Sequence, residues 1–461
     1  MKLLPKTLSI VPHSVYCLKI AMIQKNIRHL GLLVFSFVFC IFNLHNILVY
    51  DPFWGYDAPG HIRVAQYILE HHSLPVVGTY AASNPPFYYI WSAMILGLTG
   101  SIKMVQLSSF LFFTLGIGCF YQLLKIMKIA PSRSLVWTVF FSFLAVGLEY
   151  CYMVFNYGMG YAFSIFAIAI MASLFLKKPG PNTKWAIIGI GILIGLGMLT
   201  SLTNCAIIIA CACGIFLLPD LKLTKRLAYF SILILTVGAM VFPYYKYKMQ
   251  QYDCFFCTKN RIESKRALTE AYDPYFYYGF PATGFDKPYY PNDRFTLWLT
   301  LHETFYGDYF EYLIGPSYAN TTAPAVGRDL PLTLVGQHFI GPNRIAEMRI
   351  LNILGLGISG FLILALGQSL LRSWKFFRGT DADGALDCFL LLSMAGVFAQ
   401  FLVYIHRYPN GVNVHSGYLY PAVFCWLILA ARNLKKPGLF APCAVFCSAY
   451  SLMSFWTFWL H

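Results

Sequence analysis

After its first apolar run the chain reads Asp51-Pro-Phe-Trp-Gly-Tyr-Asp57-Ala-Pro-Gly-His61. Asp57 is the residue here that could do chemistry. A carboxylate held where the chain leaves a membrane span and turns onto its surface can meet both a lipid-borne donor and a soluble acceptor. A second role is open to it, because Asp is a favoured helix cap and Pro59 suits a first helical turn. The two roles are compatible. Glu149, near the outer end of the expected third span, is costly if it faces lipid, so it is expected to face the protein interior or a wet cavity. Cys254 and Cys257 form one C-x-x-C with no second pair at zinc spacing, which favours a local disulfide or two free thiols over a metal.

The elements that must position Asp57 are short. Ile62, Ala65, Ile68 and Leu69 recur at helical spacing and predict an amphipathic helix over 61–72 that lies along the interface. Pro75 ends it. Ser83-Asn84-Pro85-Pro86-Phe87-Tyr88-Tyr89 opens a second apolar helix over 85–98.

The rest of the chain is membrane protein. Of 461 residues, 58% are hydrophobic and 11% charged, with a mean hydropathy of +0.60. A soluble domain carries roughly 25% charged residues. The formal charge of +15 does not indicate a nucleic-acid partner, because the basic residues fall in short groups between apolar runs. Most cysteines lie inside apolar runs, where a thiol behaves as a small hydrophobe. Runs near the roughly 20 residues a spanning helix needs occur at 31–50, 104–124, 134–151, 157–176, 185–200, 203–219, 227–245, 347–371, 385–405, 417–431 and 438–460. The expected fold is an all-α polytopic membrane protein of about eleven transmembrane helices, with juxtamembrane helices and an outer loop domain.

The segment 85–98 decides the topology. If it lies flat, the groups Lys125/Lys128/Arg133, Lys177/Lys178/Lys184, Lys222/Lys225/Arg226, Arg372/Lys375/Arg378 and Arg432/Lys435/Lys436 all fall on the inner side. Basic residues near span ends set orientation, so the flat arrangement is expected, with the N-terminus inside and His461 outside. The chain then divides into a membrane catalytic module, 1–245, with a first outer segment, 51–103. An outer (lumenal or periplasmic) loop domain follows at 246–346, then a C-terminal membrane module at 347–461. Lys246 and Lys248, just beyond the seventh span, read as snorkelling anchors.

Tyr56-Asp57, the amphipathic helix, Leu74-Pro75 and Asn84-Pro85-Pro86-Phe87-Tyr88-Tyr89 together resemble the first outer loop of the GT-C glycosyltransferases. The likeness is to their family-39-like branch of protein O-mannosyltransferases, aminoarabinose transferases and RgtA/B/C/D-type enzymes. Thr304-Phe-Tyr-Gly-Asp308-Tyr-Phe and Arg407-Tyr…His415-Ser-Gly-Tyr418-Leu-Tyr420-Pro421 echo it more weakly. The order and spacing agree over about the first 250 residues. Many relatives have Asp-Glu where this chain has Asp57-Ala58, and many carry a second acid where it has Asn156.

The resemblance implies a sugar donor on polyprenyl or dolichyl phosphate and a glycan, lipid or protein acceptor, with no nucleic acid involved. It implies a multi-pass protein of a bacterial inner membrane or the endoplasmic reticulum membrane. Asp57 would be the base, supported by Asp51, His61 and Asn156. Arg407, with His415 and Tyr418, would hold the phosphate; Arg407 as an interfacial anchor stays open. No cofactor is required, and a divalent metal on Asp57 and His61 remains an alternative. Asn320-Thr321-Thr322 is a glycosylation sequon that matters only in a eukaryote. Rival readings are an O-antigen ligase or polymerase acting through Arg328, His338 and Arg344, a transporter, and a fold that has lost catalysis.

Overall fold

The structure, a computed structural model, describes residues 13–53, 55, 58–75, 84–177, 179–252, 274–279, 296–308, 342–379, 381, 383–407 and 415–459. Asp57, Cys254, Cys257, Asn320, Arg328 and His338 lie outside the described residues, as do the side chains of Arg344 and Arg407. Most of the expected outer domain, 246–346, therefore lies outside them too.

Every regular element among the described residues is helical. The chain runs α1 (His13–Val49), α2 (Ala58–His71), α3 (Phe87–Thr99), α4 (Ile102–Ile126), α5 (Pro131–Ser142), α6 (Ala145–Tyr152), α7 (Asn156–Lys177), α8 (Thr183–Met198), α9 (Cys205–Leu217) and α10 (Leu223–Tyr252). It continues with α11 (Pro274–Tyr278), α12 (Leu297–Tyr306), α13 (Pro342–Phe377), α14 (Gly384–Arg407), α15 (Tyr420–Asn433) and α16 (Pro437–Thr457). Seven of these helices are long and apolar enough to cross a membrane, and the bent pair α5–α6 makes an eighth. α8, α9 and α15 coincide with three further expected spans but are shorter, at 16, 13 and 14 residues. The protein is a multi-pass membrane protein.

Residues 1–42 and 43–461 form two compact units. The first is helical from His13 and apolar from Leu30, with the Phe35 and Phe39 rings 5.7 Å apart.

In the second unit the helix ends sort onto two faces. On one, Lys103 Nζ donates to the carbonyls of Ile47, at 2.7 Å, and Tyr50. Asn46 Nδ2 donates to the Phe458 carbonyl at 2.8 Å and to Tyr152 Oη at 3.0 Å. The end of α1, the start of α4 and the ends of α6 and α16 therefore meet. The segment 51–103 leaves this face and returns to it, so α3 is not a single crossing. Its 13 residues reach only about 20 Å against a hydrocarbon core of about 30 Å.

The opposite face collects the basic groups. Arg133 Nη1 donates to the Lys435 carbonyl at 2.5 Å, Arg372 pairs with Asp387, and Arg432 Nη2 donates to the Asp383 carbonyl at 2.8 Å. The rings of Phe175, near the end of α7, and Phe389, at the start of α14, stack 5.4 Å apart. Gly214, near the end of α9, lies against that same Phe389 ring. If this face is cytoplasmic, a cysteine at exposed Lys128 resists an impermeant thiol reagent added from outside, whereas one at exposed Ser73 reacts. The reverse pattern would invert the orientation.

Three expectations change. The third span is not one helix: α5 and α6 meet at a 57° bend. The apolar face of α2 is covered by protein rather than lying along lipid. Ala58, Ile62 and Val64 pack with Tyr88 and Tyr89 of α3, Val105 of α4 and Met159 and Phe163 of α7. Leu69 packs on Gly97, where a Cβ would come within 2.8 Å of it. Lys248 is fully buried, its ammonium 5.8 Å from the Tyr244 ring, instead of reaching water; Lys246 is exposed as expected.

Candidate active site

The bend in the third span places the central acid. Neither Gly nor Pro stands at the break, which reads Ser142-Phe143-Leu144-Ala145. Breaking a helix frees backbone groups that must find partners away from water. Here α16 supplies them: Ser454 Oγ donates to the Phe143 carbonyl at 2.6 Å, and the Ala145 N–H donates to Tyr450 Oη at 3.3 Å. Tyr450 Oη in turn donates to the Tyr306 carbonyl at 2.8 Å, tying the end of α12 to the same point. All eight residues of α6 are buried, Glu149 among them.

Glu149 meets His415, the residue before a short 3-10 turn, Ser416–Leu419, that leads into α15. His415 Nε2 lies 3.0 Å from Glu149 Oε2, with its N–H axis off the line of a straight hydrogen bond. The other ring nitrogen fixes the tautomer. The Gly417 N–H donates to Nδ1 at 3.0 Å, so Nδ1 carries the lone pair and the proton is on Nε2, facing Glu149. Tyr150 Oη is 3.2 Å from the same Nδ1. Burial pushes His415 down to about 4, against the opposing pull of Asp308. The imidazole is therefore neutral near pH 7, and its contact with Glu149 is not a full ion pair.

Two further segments close the site. Thr304 Oγ1, in the last turn of α12, accepts from the Ser416 N–H at 3.0 Å and donates to the Thr300 carbonyl at 2.8 Å. Glu303, beside it and fully buried, is pushed up to about 9 by that burial, so it is protonated at neutral pH. Asp308, just past α12, is 1% exposed. Tyr50, at the end of α1, is buried and its phenol pKa is raised, first by burial and then by Asp308, Glu149 and Asp51. Three carboxylates thus act on Tyr50, seven residues before Asp57 in the sequence. The arrangement gathers a neutral imidazole, ionisable carboxyls and phenols in a buried polar cluster on the face from which 51–103 departs.

The structure treats the sequence candidates differently. Asp51 is exposed, and its Oδ1 accepts from the Phe53 N–H at 2.9 Å, forming the turn after α1. His61 is 1% exposed. Its Nδ1 is 2.8 Å from Tyr89 Oη, and its ring stacks on Tyr89 with an interplanar angle of 12°. Asn156 opens α7, is buried, and donates from Nδ2 to the Thr200 carbonyl at 2.8 Å. Tyr418 is buried beside Tyr157, Phe401 and Tyr404. His415 and Tyr418 are both buried. Among the described residues no group of three His, Cys, Asp or Glu side chains is placed to hold a metal ion. Tyr150 and Glu303 had no mark in the sequence, since neither belongs to a spaced motif.

No protein-family model matches the chain, and no curated protein matches it significantly. Among solved structures it is similar to ArnT from Cupriavidus metallidurans in the apo state. The identity is 14% and the TM-score 0.42, with 87% of this chain and 76% of that one covered. It is also similar to ArnT from the same organism bound to undecaprenyl phosphate, at 14% identity and a TM-score of 0.41, covering 88% of this chain and 78% of that one.

Proposed function

We propose that the protein is a GT-C-type glycosyltransferase that moves a sugar, of hexosyl or mannosyl type, from a polyprenyl- or dolichyl-phosphate donor to an acceptor on the outer face. One observation supports this reading above others. The turn that carries Asp57 in the sequence starts at Tyr50, beside the buried carboxyls of Glu149 and Asp308 and the neutral imidazole of His415. Polar groups of this kind are expensive to bury and accumulate where chemistry needs them.

In the proposed step the acceptor oxygen bonds to the anomeric carbon as the bond from that carbon to the phosphate oxygen breaks. The acceptor proton passes to the Asp57 carboxylate. Charge grows on the departing lipid phosphate, and Arg407, at the end of α14, would hold it with paired donors. His415 and Glu149, buried and 3.0 Å apart, would keep the surroundings of the reaction polar. Asp57 and Arg407 follow or close helices α1 and α14, which suits a donor anchored in lipid.

Release of polyprenyl phosphate from a polyprenyl-phosphate sugar by the purified chain tests the assignment directly. Arg407→Ala is expected to raise the KM for that donor by roughly 10- to 100-fold, the loss of one charge-assisted phosphate contact. Arg407→Lys should fall between, because an ammonium cannot reproduce the guanidinium fork. An unchanged donor KM in the alanine variant would move the phosphate elsewhere.

A further inference from the structure

The proposed reaction leaves the run Asn84-Pro85-Pro86-Phe87-Tyr88-Tyr89 without a task. Its two prolines fix the backbone φ and carry no N–H, so the chain enters α3 as a stiff segment. That segment is tied at two points. Tyr244 Oη of α10 donates to the Asn84 carbonyl at 3.0 Å, and the Phe87 N–H donates to the Leu199 carbonyl at 2.8 Å. Two of its side chains meet as a result. Asn84 Nδ2 donates to Tyr89 Oη at 3.0 Å, and the same Oη lies 2.8 Å from Nδ1 of His61 on α2.

These contacts place the imidazole proton. A phenol has one proton to give. Of these two neighbours the Asn84 amide is a donor, so the phenol gives its proton to Nδ1. An imidazole that accepts at Nδ1 carries its own proton on Nε2. The plane of the ring is fixed as well. Tyr89 stacks on it with centroids 5.5 Å apart, while Phe155 at 4.9 Å and Tyr88 at 6.1 Å stand edge-on. A helical side chain leans back over the turn before its own Cα. His61 is the fourth residue of α2, so its ring lies over the turn that begins the helix, directly after Asp57 in the sequence.

We propose that Asn84 and Tyr89 hold His61 as an Nε2–H donor to the Asp57 carboxylate, and that this bond aims the second carboxylate oxygen at the acceptor hydroxyl. His61, Tyr89 and Asn84 are then positioning residues, and their part in transfer rests on the glycosyltransferase reading. A ring nitrogen that carries a proton has no lone pair to give a metal ion. In this tautomer His61 is therefore no metal ligand through Nε2.

Glutamine and asparagine separate the two ring nitrogens, because a Gln amide reaches the place of Nε2 and an Asn amide that of Nδ1. The assay is release of polyprenyl phosphate by the purified full chain, with kcat and KM resolved and thermal unfolding in parallel. His61→Gln is expected to keep kcat within about tenfold of wild type, whereas His61→Asn should lose about 100-fold with donor KM little changed, the scale of a misplaced reacting group. Tyr89→Phe removes one atom and should lower kcat about tenfold at an unchanged melting temperature. It keeps the test decisive if the His61 variants fail to fold. Asn matching or exceeding Gln, equal loss in both, or wild-type kcat in Tyr89→Phe overturns the proposal. Nitrogen NMR of histidine-labelled protein, with His61 assigned by difference against His61→Gln, reads the tautomer without any activity. An unprotonated Nδ1 and a protonated Nε2 are expected, and the reverse overturns the proposal. A wild-type chain that releases no polyprenyl phosphate fails the transferase reading, and the spectrum then decides the hydrogen-bonded chain by itself.

Discussion

Asp57→Asn should leave the protein inserted and folded but cut sugar transfer by about 100- to 10,000-fold, the usual cost of losing a general base. The substitution keeps the size of the side chain and a capping oxygen. α2 starts at Ala58, directly after it, and Asn caps a helix about as well as Asp. A purely structural role therefore predicts an unchanged protein, whereas a catalytic one predicts a stable, inactive one. The measurement is transfer of labelled sugar from a polyprenyl-phosphate donor, with thermal unfolding in parallel. A stable and fully active Asn variant would end the assignment of Asp57 as base and turn attention to Asp51 and Glu149.

Gly417→Ala should destabilise the protein by about 3 kcal/mol or more, the upper range for forcing atoms into a packed core, and lose transfer with it. The reason is space, not backbone conformation. A Cβ at Gly417 would overlap the hydroxyl and ring of Tyr150. That ring cannot easily move, being buried, stacked on Phe155 and edge-on to Tyr161. Relief by shifting the turn instead would break the Gly417 N–H bond that fixes the His415 tautomer. Tyr150→Phe is the control: it removes one hydroxyl, leaves the ring, and should cost far less. An alanine variant with wild-type melting temperature and activity would show that the turn is not built as described.

How much of this was legible in the sequence follows from what each residue depends on. Apolar runs mark spans by length and composition alone, so eleven expected segments each meet a helical element. The sorting of basic residues to one face was readable too, because it depends only on their place at span ends. The amphipathic period of α2 was visible, but not what would cover it, since lipid and the aromatics of α3 look alike to an apolar face. The bend at Phe143–Leu144 had no local signal, because its partners lie about 300 residues later in α16. Glu149 could be read as inward-facing from cost alone. Its meeting with His415 could not, because it depends on how α6 and the 415–419 turn pack.

The dependence of that bend on α16 bears on the order of events during synthesis. When the third span leaves the ribosome, Ser454 and Tyr450 do not yet exist. The Phe143 carbonyl and Ala145 N–H then have two courses: remain in one continuous helix, or open to water. Only after the last helix has entered the membrane can α6 tip into its final position and bring Glu149 towards the 415–419 turn. The site is thus completed last, and a chain ending short of Tyr450 would carry every acid of the site without the fold that brings them together.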